Sequence, residues 1–183
     1  MAFVYEDGTG KVDSNSLVEV AFADTYFSER AYSAWANLSG LLKQSSLIKA
    51  TDYFEMRWSY QLLGSTLFPD NPQALSFPRQ NQLYVPYGEP IYDLINPLLI
   101  IGYTTPVIIK RAICEYAKRA SVGELVNDSK SDSMVSQRVK IGQIEKETNY
   151  SANSRQPVTY NTFPAADMLL KPYLKPVSKQ AIR

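Results

Sequence analysis

Gly8-Thr9-Gly10-Lys11, inside the stretch VYEDGTGKVDSNS (4–16), is the pattern nearest to a phosphate-cradling loop. Such a loop holds phosphates with glycine amides and a lysine. It needs a glycine five positions before the one preceding the lysine, then Ser or Thr after the lysine. Those two places hold Tyr5 and Val12. The pattern therefore reads as a turn whose glycines take positive φ.

The other reactive residue types offer little. There is no histidine and one cysteine, Cys114. This removes Ser-His-Asp and Cys-His nucleophile pairs, an internal disulfide and a cysteine-held zinc. Asp24, Glu29, Asp52 and Glu55 fall on predicted helices beside basic residues and read as solvated faces. Glu145 and Glu147 flank Lys146, so on a strand they would point the same way. That pair could take a divalent cation, but two carboxylates without further ligands are a weak set. The expectation is a protein that is not an enzyme, with no catalytic residue, no cofactor and no metal.

Charge placement says more. The chain carries a formal net charge of +1. The segment 106–122 holds Lys110, Arg111, Lys118 and Arg119 against Glu115. The last stretch, KPYLKPVSKQAIR, holds Lys171, Lys175, Lys179 and Arg183 with no acid. The rest of the chain is therefore acidic. Basic segments on an acidic body suit docking onto another copy or a partner, or contact with phosphates. Pro172 and Pro176 forbid a regular helix in the terminal stretch, which reads either as an extended peptide able to lie in a groove or as a solvated terminus. In QALSFPRQ (73–80), Leu75 and Phe77 read as pins to the core. A sharper reading adds Arg79 as an inter-subunit ion-pair donor.

The elements that must position these residues follow from periodicity. Residues 2–6 and Leu17-Val18 suggest a hairpin or a strand pair around the glycine turn. Val20, Ala23, Phe27 and, if the helix runs on, Ala31 share one helical face. Ser39 is a candidate cap for a helix at about 40–57, with Leu47, Ala50, Thr51, Phe54 and Trp58 repeating along it. Prolines at 69, 72, 78, 86, 90 and 97 exclude a helix and leave an ordered loop or arm. The clearest helix follows, capped by Thr105 with Pro106 at its first position and ending near Gly123. Its stripe is Ile109, Ala112, Ile113, Tyr116, Ala117 and Ala120, and Glu115 sits four before Arg119. NDSKSDSM (127–134) is a polar loop. RVKIGQIEKE is a strand broken at Gly142, and FPAADMLLKPYL a short helix started by Pro164. At 183 residues and 45% hydrophobic, one domain with a real core is expected. No basic-then-apolar leader and no membrane-length apolar run is visible, so a soluble protein kept in a reducing compartment is expected.

Taken in order, VYEDGTGKVDSNSLVEVAFADTYFSER, LIKATDYFEMRW, QALSFPR, PVIIKRAICEYAKRASVGEL and VKIGQIEKE resemble a family of tailed-bacteriophage proteins. These are the head-to-tail adaptor (connector, head-completion) proteins, often labelled DnaT-like single-stranded-DNA-binding protein. The resemblance spans residues 3 to about 174, with gaps. Residues 80–105 are longer and richer in proline and aromatics than the family pattern, the stretch after Leu174 is an extension, and Phe77 stands where tryptophan is more usual.

The resemblance implies a mainly α fold: a small helical bundle with a minor β-hairpin or sheet element, an extended proline-rich arm and a C-terminal tail. The adaptor domain would cover 1–174, with the arm at about 80–105 and a mobile loop at about 127–137. The tail would cover 175–183. It implies a structural virion protein, made in the host cytoplasm, that forms a ring, commonly of twelve copies, between the portal protein and a tail or tail-completion protein. The ring would pass the genome, with weak non-specific DNA contact and no membrane. Lys171, Tyr173, Lys175, Lys179, Arg183, Tyr84, Tyr87 and Tyr92 would dock the portal or another partner; the three arm tyrosines read equally as pins holding the arm to its own domain. Arg79, Lys110, Arg111, Lys118 and Arg119 would meet a neighbouring subunit or DNA in the lumen. The alternative is a single-stranded nucleic-acid-binding protein, which needs a basic groove with interleaved aromatics.

Overall fold

The computed structural model describes residues 2–68, 72–80, 90–92, 100–126, 136–141, 144–149 and 160–175. The fold is mainly α with a minor β-hairpin. It falls into two compact units. One is built from the residues up to Leu125 together with those from Thr162 onward, and the other is Val126–Asn161.

The helices of the larger unit are α1 (Val20–Ser28), α2 (Ser33–Ala36), α3 (Gly40–Trp58), α4 (Val107–Ala120) and α5 (Pro164–Leu170). α3 starts where its sequence can cap it: Ser39 Oγ accepts from Leu42 N–H at 3.3 Å. α4 packs on both α3 and α5. Its stripe Ile109, Ala112, Ile113, Tyr116, Ala117 and Ala120 is buried throughout, as the periodicity predicts. Each fully buried Ile contributes about 1.5–3 kcal/mol. Cys114 is also buried, and burial pushes its thiol pKa well up. The helix begins one residue later than expected, with Pro106 as the capping position.

Rings of Tyr53, Tyr116 and Phe163 meet edge-on where α3, α4 and the start of α5 converge. Asp167 then clamps α5. It accepts two bonds from Arg57, at 3.1 and 2.9 Å, and one from Tyr116 Oη at 2.6 Å. Beyond α5, residues Lys171–Tyr173 form a 3-10 turn. Leu63 N–H donates to Tyr173 C=O at 2.9 Å, and Lys175 N–H to Gln61 C=O at 2.7 Å. The terminal stretch is thus folded onto the body through Lys175, not extended from residue 171 as the prolines suggested. The remainder of the expected tail, 176–183, lies outside the described residues.

Four short antiparallel strands form the larger unit's sheet: β1 (Ser65–Thr66), β2 (Arg79–Gln80), β3 (Pro90–Tyr92) and β4 (Ile100–Tyr103), in the order β1-β2-β4-β3. The arm expected over 80–105 therefore contributes sheet at its described parts; residues 81–89 and 93–99 lie outside the described residues. The N-terminal hairpin does not form. Tyr5 and Ser16 make a single parallel bridge, because the intervening loop is organised around a side chain.

The smaller unit is a hairpin of β5 (Ser136–Ile141) and β6 (Ile144–Asn149). The stretch expected as one strand broken at Gly142 is thus two strands, and Gly142 itself lies outside the described residues. Of the loop expected at about 127–137, residues 127–135 lie outside the described residues, and Ser136 already opens β5. The register sets Arg138 opposite Glu147 and Lys140 opposite Glu145. Among the described residues no group of three His, Cys, Asp or Glu is placed to hold a metal.

Candidate nucleic-acid interface

Two places gather groups that could meet an anion. The first is the glycine loop. Gly8 and Gly10 take φ of 104° and 72°, as the turn reading requires. A Cβ on Gly10 would run into the Phe68 ring, so any other residue there would have to displace that ring. The loop's amides do converge, but on the protein's own carboxylate. Glu6, 3% exposed, accepts from Gly8 N–H at 2.8 Å, Gly10 N–H at 2.9 Å and Lys11 N–H at 2.9 Å. Ser14 Oγ adds a fourth bond at 3.3 Å. The lysine is engaged as well: Lys11 Nζ meets Asp7 Oδ2 at 2.7 Å. That pair and Thr9 hold the Asp7 carboxyl at about 2, below its ordinary 3.8. An anion cradle is present, and Glu6 fills it.

The second place is the seam between α1 and α4. Positions 22 and 26 stand one above the other on α1, as helical spacing dictates. Lys110 Nζ lies 5.7 Å from the Phe22 ring centre. The Arg30 guanidinium lies 3.6 Å over the Tyr26 ring and donates to Tyr26 C=O at 2.9 Å. Lys118 Nζ lies 4.1 Å over the Tyr32 ring. Lys110 and Lys118 are two turns apart on α4, about 12 Å. Tyr26 Oη reaches α4 between them, donating to Glu115 Oε1 at 3.0 Å. Burial and this carboxylate push the Tyr26 phenol up to about 12. Three cations therefore lie along the seam, each over an aromatic ring, and Arg30 also has Glu29 Oε2 at 3.6 Å. Each such contact is worth about 0.5–2 kcal/mol, more where water is excluded.

The acid in the row is tied down. Arg119 donates to Glu115 Oε2 at 3.0 Å, and its guanidinium lies 5.4 Å from the Phe163 ring. Arg111 is exposed on α4, with no ion pair among the described residues. The predicted cations of α4 are thus brought together, with Lys110 and Lys118 on the aromatic line.

Arg79 is placed elsewhere, and its position runs against an inter-subunit or lumen contact. It is 6% exposed, and its guanidinium donates to three backbone carbonyls: Leu63 at 2.8 Å, Ser76 at 3.1 Å and Gly64 at 2.7 Å. It staples the turns around β1 and β2. Leu75 and Phe77 are buried beside it, as the pinned-loop reading expects. Tyr173 is likewise inside, 1% exposed, and as placed offers no docking surface. Lys171 and Lys175 are exposed, and Lys175 Nζ donates to Tyr60 C=O at 3.3 Å. Tyr92 is the last residue of β3. Tyr84, Tyr87, Lys179 and Arg183 lie outside the described residues.

A family described as "Putative DnaT-like ssDNA binding protein" matches the chain over residues 1–183. The chain belongs to this family. Membership agrees with the single-strand label carried by the sequence resemblance, and gives no support to the head-to-tail adaptor assignment. No curated protein and no solved structure matches the chain. Phe22, Arg30 and Tyr32 complete the family member's cationic row, and no sequence pattern singled them out. The available signal was Arg30 four residues after Tyr26, an i,i+4 pair in an aromatic-rich stretch.

Proposed function

We propose that this protein binds single-stranded DNA, without strong sequence preference, along the α1–α4 seam. The observation that carries the reading is the line of Lys110, Arg30 and Lys118, each over an aromatic ring. A cationic track with interleaved aromatics is what a single strand requires, since phosphates take the charges and bases stack on rings. Family membership supports the same reading. The test is fluorescence anisotropy of a labelled dT 20-mer at several salt concentrations. Three phosphate contacts predict a slope of log K against log salt of about −2. No binding at low salt would overturn the reading.

A second reading makes the protein a ring-forming adaptor between a portal and a tail, twelve copies by the resemblance. It is favoured by large apolar side chains left on the surface, among them Tyr60 at 88%, Leu41 at 79% and Met168 at 63% exposed. Side chains of this kind suit a subunit interface. Mass photometry of the protein mixed with portal particles separates the readings. A fixed number of copies joining the portal without DNA would establish the adaptor; no association would remove it.

A further inference from the structure

Beside the seam, α1, α2 and the start of α3 enclose a cleft of about 540 Å³. Its size is within the ~300–1,000 Å³ range of small-molecule sites. Phe27 and Trp35 form the apolar base, with ring centres 4.6 Å apart. Tyr32 is part of the wall and is also the ring under Lys118. The cleft is thus continuous with the cationic row. Its polar lining is Ser28, Ser33 and the charged pair Asp24 and Lys43. Asp24 Oδ1 accepts from Trp35 Nε1 at 2.7 Å and from Lys43 Nζ at 2.9 Å. Asp24 Oδ2 has no partner among the described residues, and Lys43 Nζ uses one of its three donors here.

We propose that this cleft takes one nucleobase of the bound strand and selects an amino-bearing base, cytosine or adenine, over thymine. The proposal rests on the single-strand reading and adds a base preference to it. A strand whose phosphates follow Arg30 and Lys118 brings a base to Tyr32, which is part of the cleft's wall. Phe27, Tyr32 and Trp35 supply an apolar and aromatic lining for a planar ring. Asp24 Oδ2 accepts from the exocyclic amino group, and Lys43 Nζ donates to the adjacent ring nitrogen or carbonyl. Thymine has no amino group. Its one ring N–H lies between two carbonyls that would face the carboxylate.

The experiment compares labelled dC, dA and dT 20-mers by anisotropy, with the native protein, Asp24→Asn and Ala36→Trp. The native protein should bind dC and dA about tenfold tighter than dT. The amide of the first variant would keep an oxygen for Trp35 but present a donor in place of Oδ2, so Asp24→Asn should lose or reverse the preference. Ala36 is exposed at the end of α2 and lines the cleft, so a tryptophan there should fill it. Ala36→Trp should bring dC and dA binding down to the dT level, which keeps the test open if Asp24→Asn fails to fold. Equal binding of the three strands by the native protein would overturn the base site and leave the seam standing. A preference unchanged in both variants would also overturn it. No binding of any strand would overturn the seam and the cleft together.

Discussion

The glycine loop and the α1–α4 seam are opposites. The loop has the residue types of an anion site, and its converging amides are saturated by Glu6. The seam has no motif, yet it leaves three cations on aromatic rings; of the protein's own anions there, Glu29 lies 3.6 Å from Arg30 at the surface, and Glu115 is held by Tyr26 and Arg119. What separates a binding site from a structural device is whether the groups that could bind are already satisfied. Residue type alone does not decide it.

Emptying the loop is the most severe way to break this contrast. Glu6→Ala leaves three inward amides without an acceptor, and should cost on the order of 3 kcal/mol or more, read as a fall in the denaturant midpoint. If the cradle is a true anion site occupied from within, formate should restore part of the lost stability. Chloride at the same ionic strength should restore less. Equal effects of the two salts would mean that the loop collapses and no cradle survives.

Discharging the seam comes next. Lys110→Gln with Lys118→Gln should weaken single-strand binding about tenfold and flatten the salt slope by about 1.4. Both side chains are partly exposed and make no ion pair among the described residues, so the melting temperature should hold. A fall in affinity with the slope unchanged would place the phosphate contacts elsewhere.

Ala31 allows a finer adjustment next to the seam. It takes φ of 51°, a left-handed value that costs a non-glycine residue about 1–2 kcal/mol. Glycine removes that strain but loses about 0.5–1 kcal/mol through chain entropy. Ala31→Gly should stabilise by about 0.5 kcal/mol, visible as a small rise in melting temperature.

The smallest effect is in the loop again. Asp7 titrates near 2 in the fold against an ordinary 3.8, so its ion pair with Lys11 contributes fully above about pH 5 and is lost as pH falls towards 2. The pair lies at the surface and is screened by solvent, so its share is small. Asp7→Asn should therefore flatten the acid limb of the stability profile slightly and lower stability at pH 7 by no more than that share.

What could be read in the sequence was what depends on local period. The stripe of α4, the Ser39 cap, the Pro164 start and the positive-φ glycines all depend on neighbours within one or two turns. The site residues depend on distance in space. Phe22 and Tyr32 meet Lys110 and Lys118 across more than eighty residues of chain, and no periodicity links them. Glu6 was silent because its partners are mainly backbone amides, which every residue carries. Arg79 misled for a related reason: an arginine after a proline knuckle looks exposed, while its acceptors are carbonyls that the sequence cannot mark. The short strands at 65–66 and 79–80 were hidden by prolines that exclude helix but do not exclude sheet edges.

The clamp on α5 has a consequence for synthesis. Arg57 and Tyr116 wait for Asp167, which leaves the ribosome only after the whole of Val126–Asn161 has been made. Until then the faces of α3 and α4 that meet α5 are uncovered. A chain halted early would display apolar surface to chaperones and proteases, whereas one that reaches Leu174 closes over Leu62 and hides it.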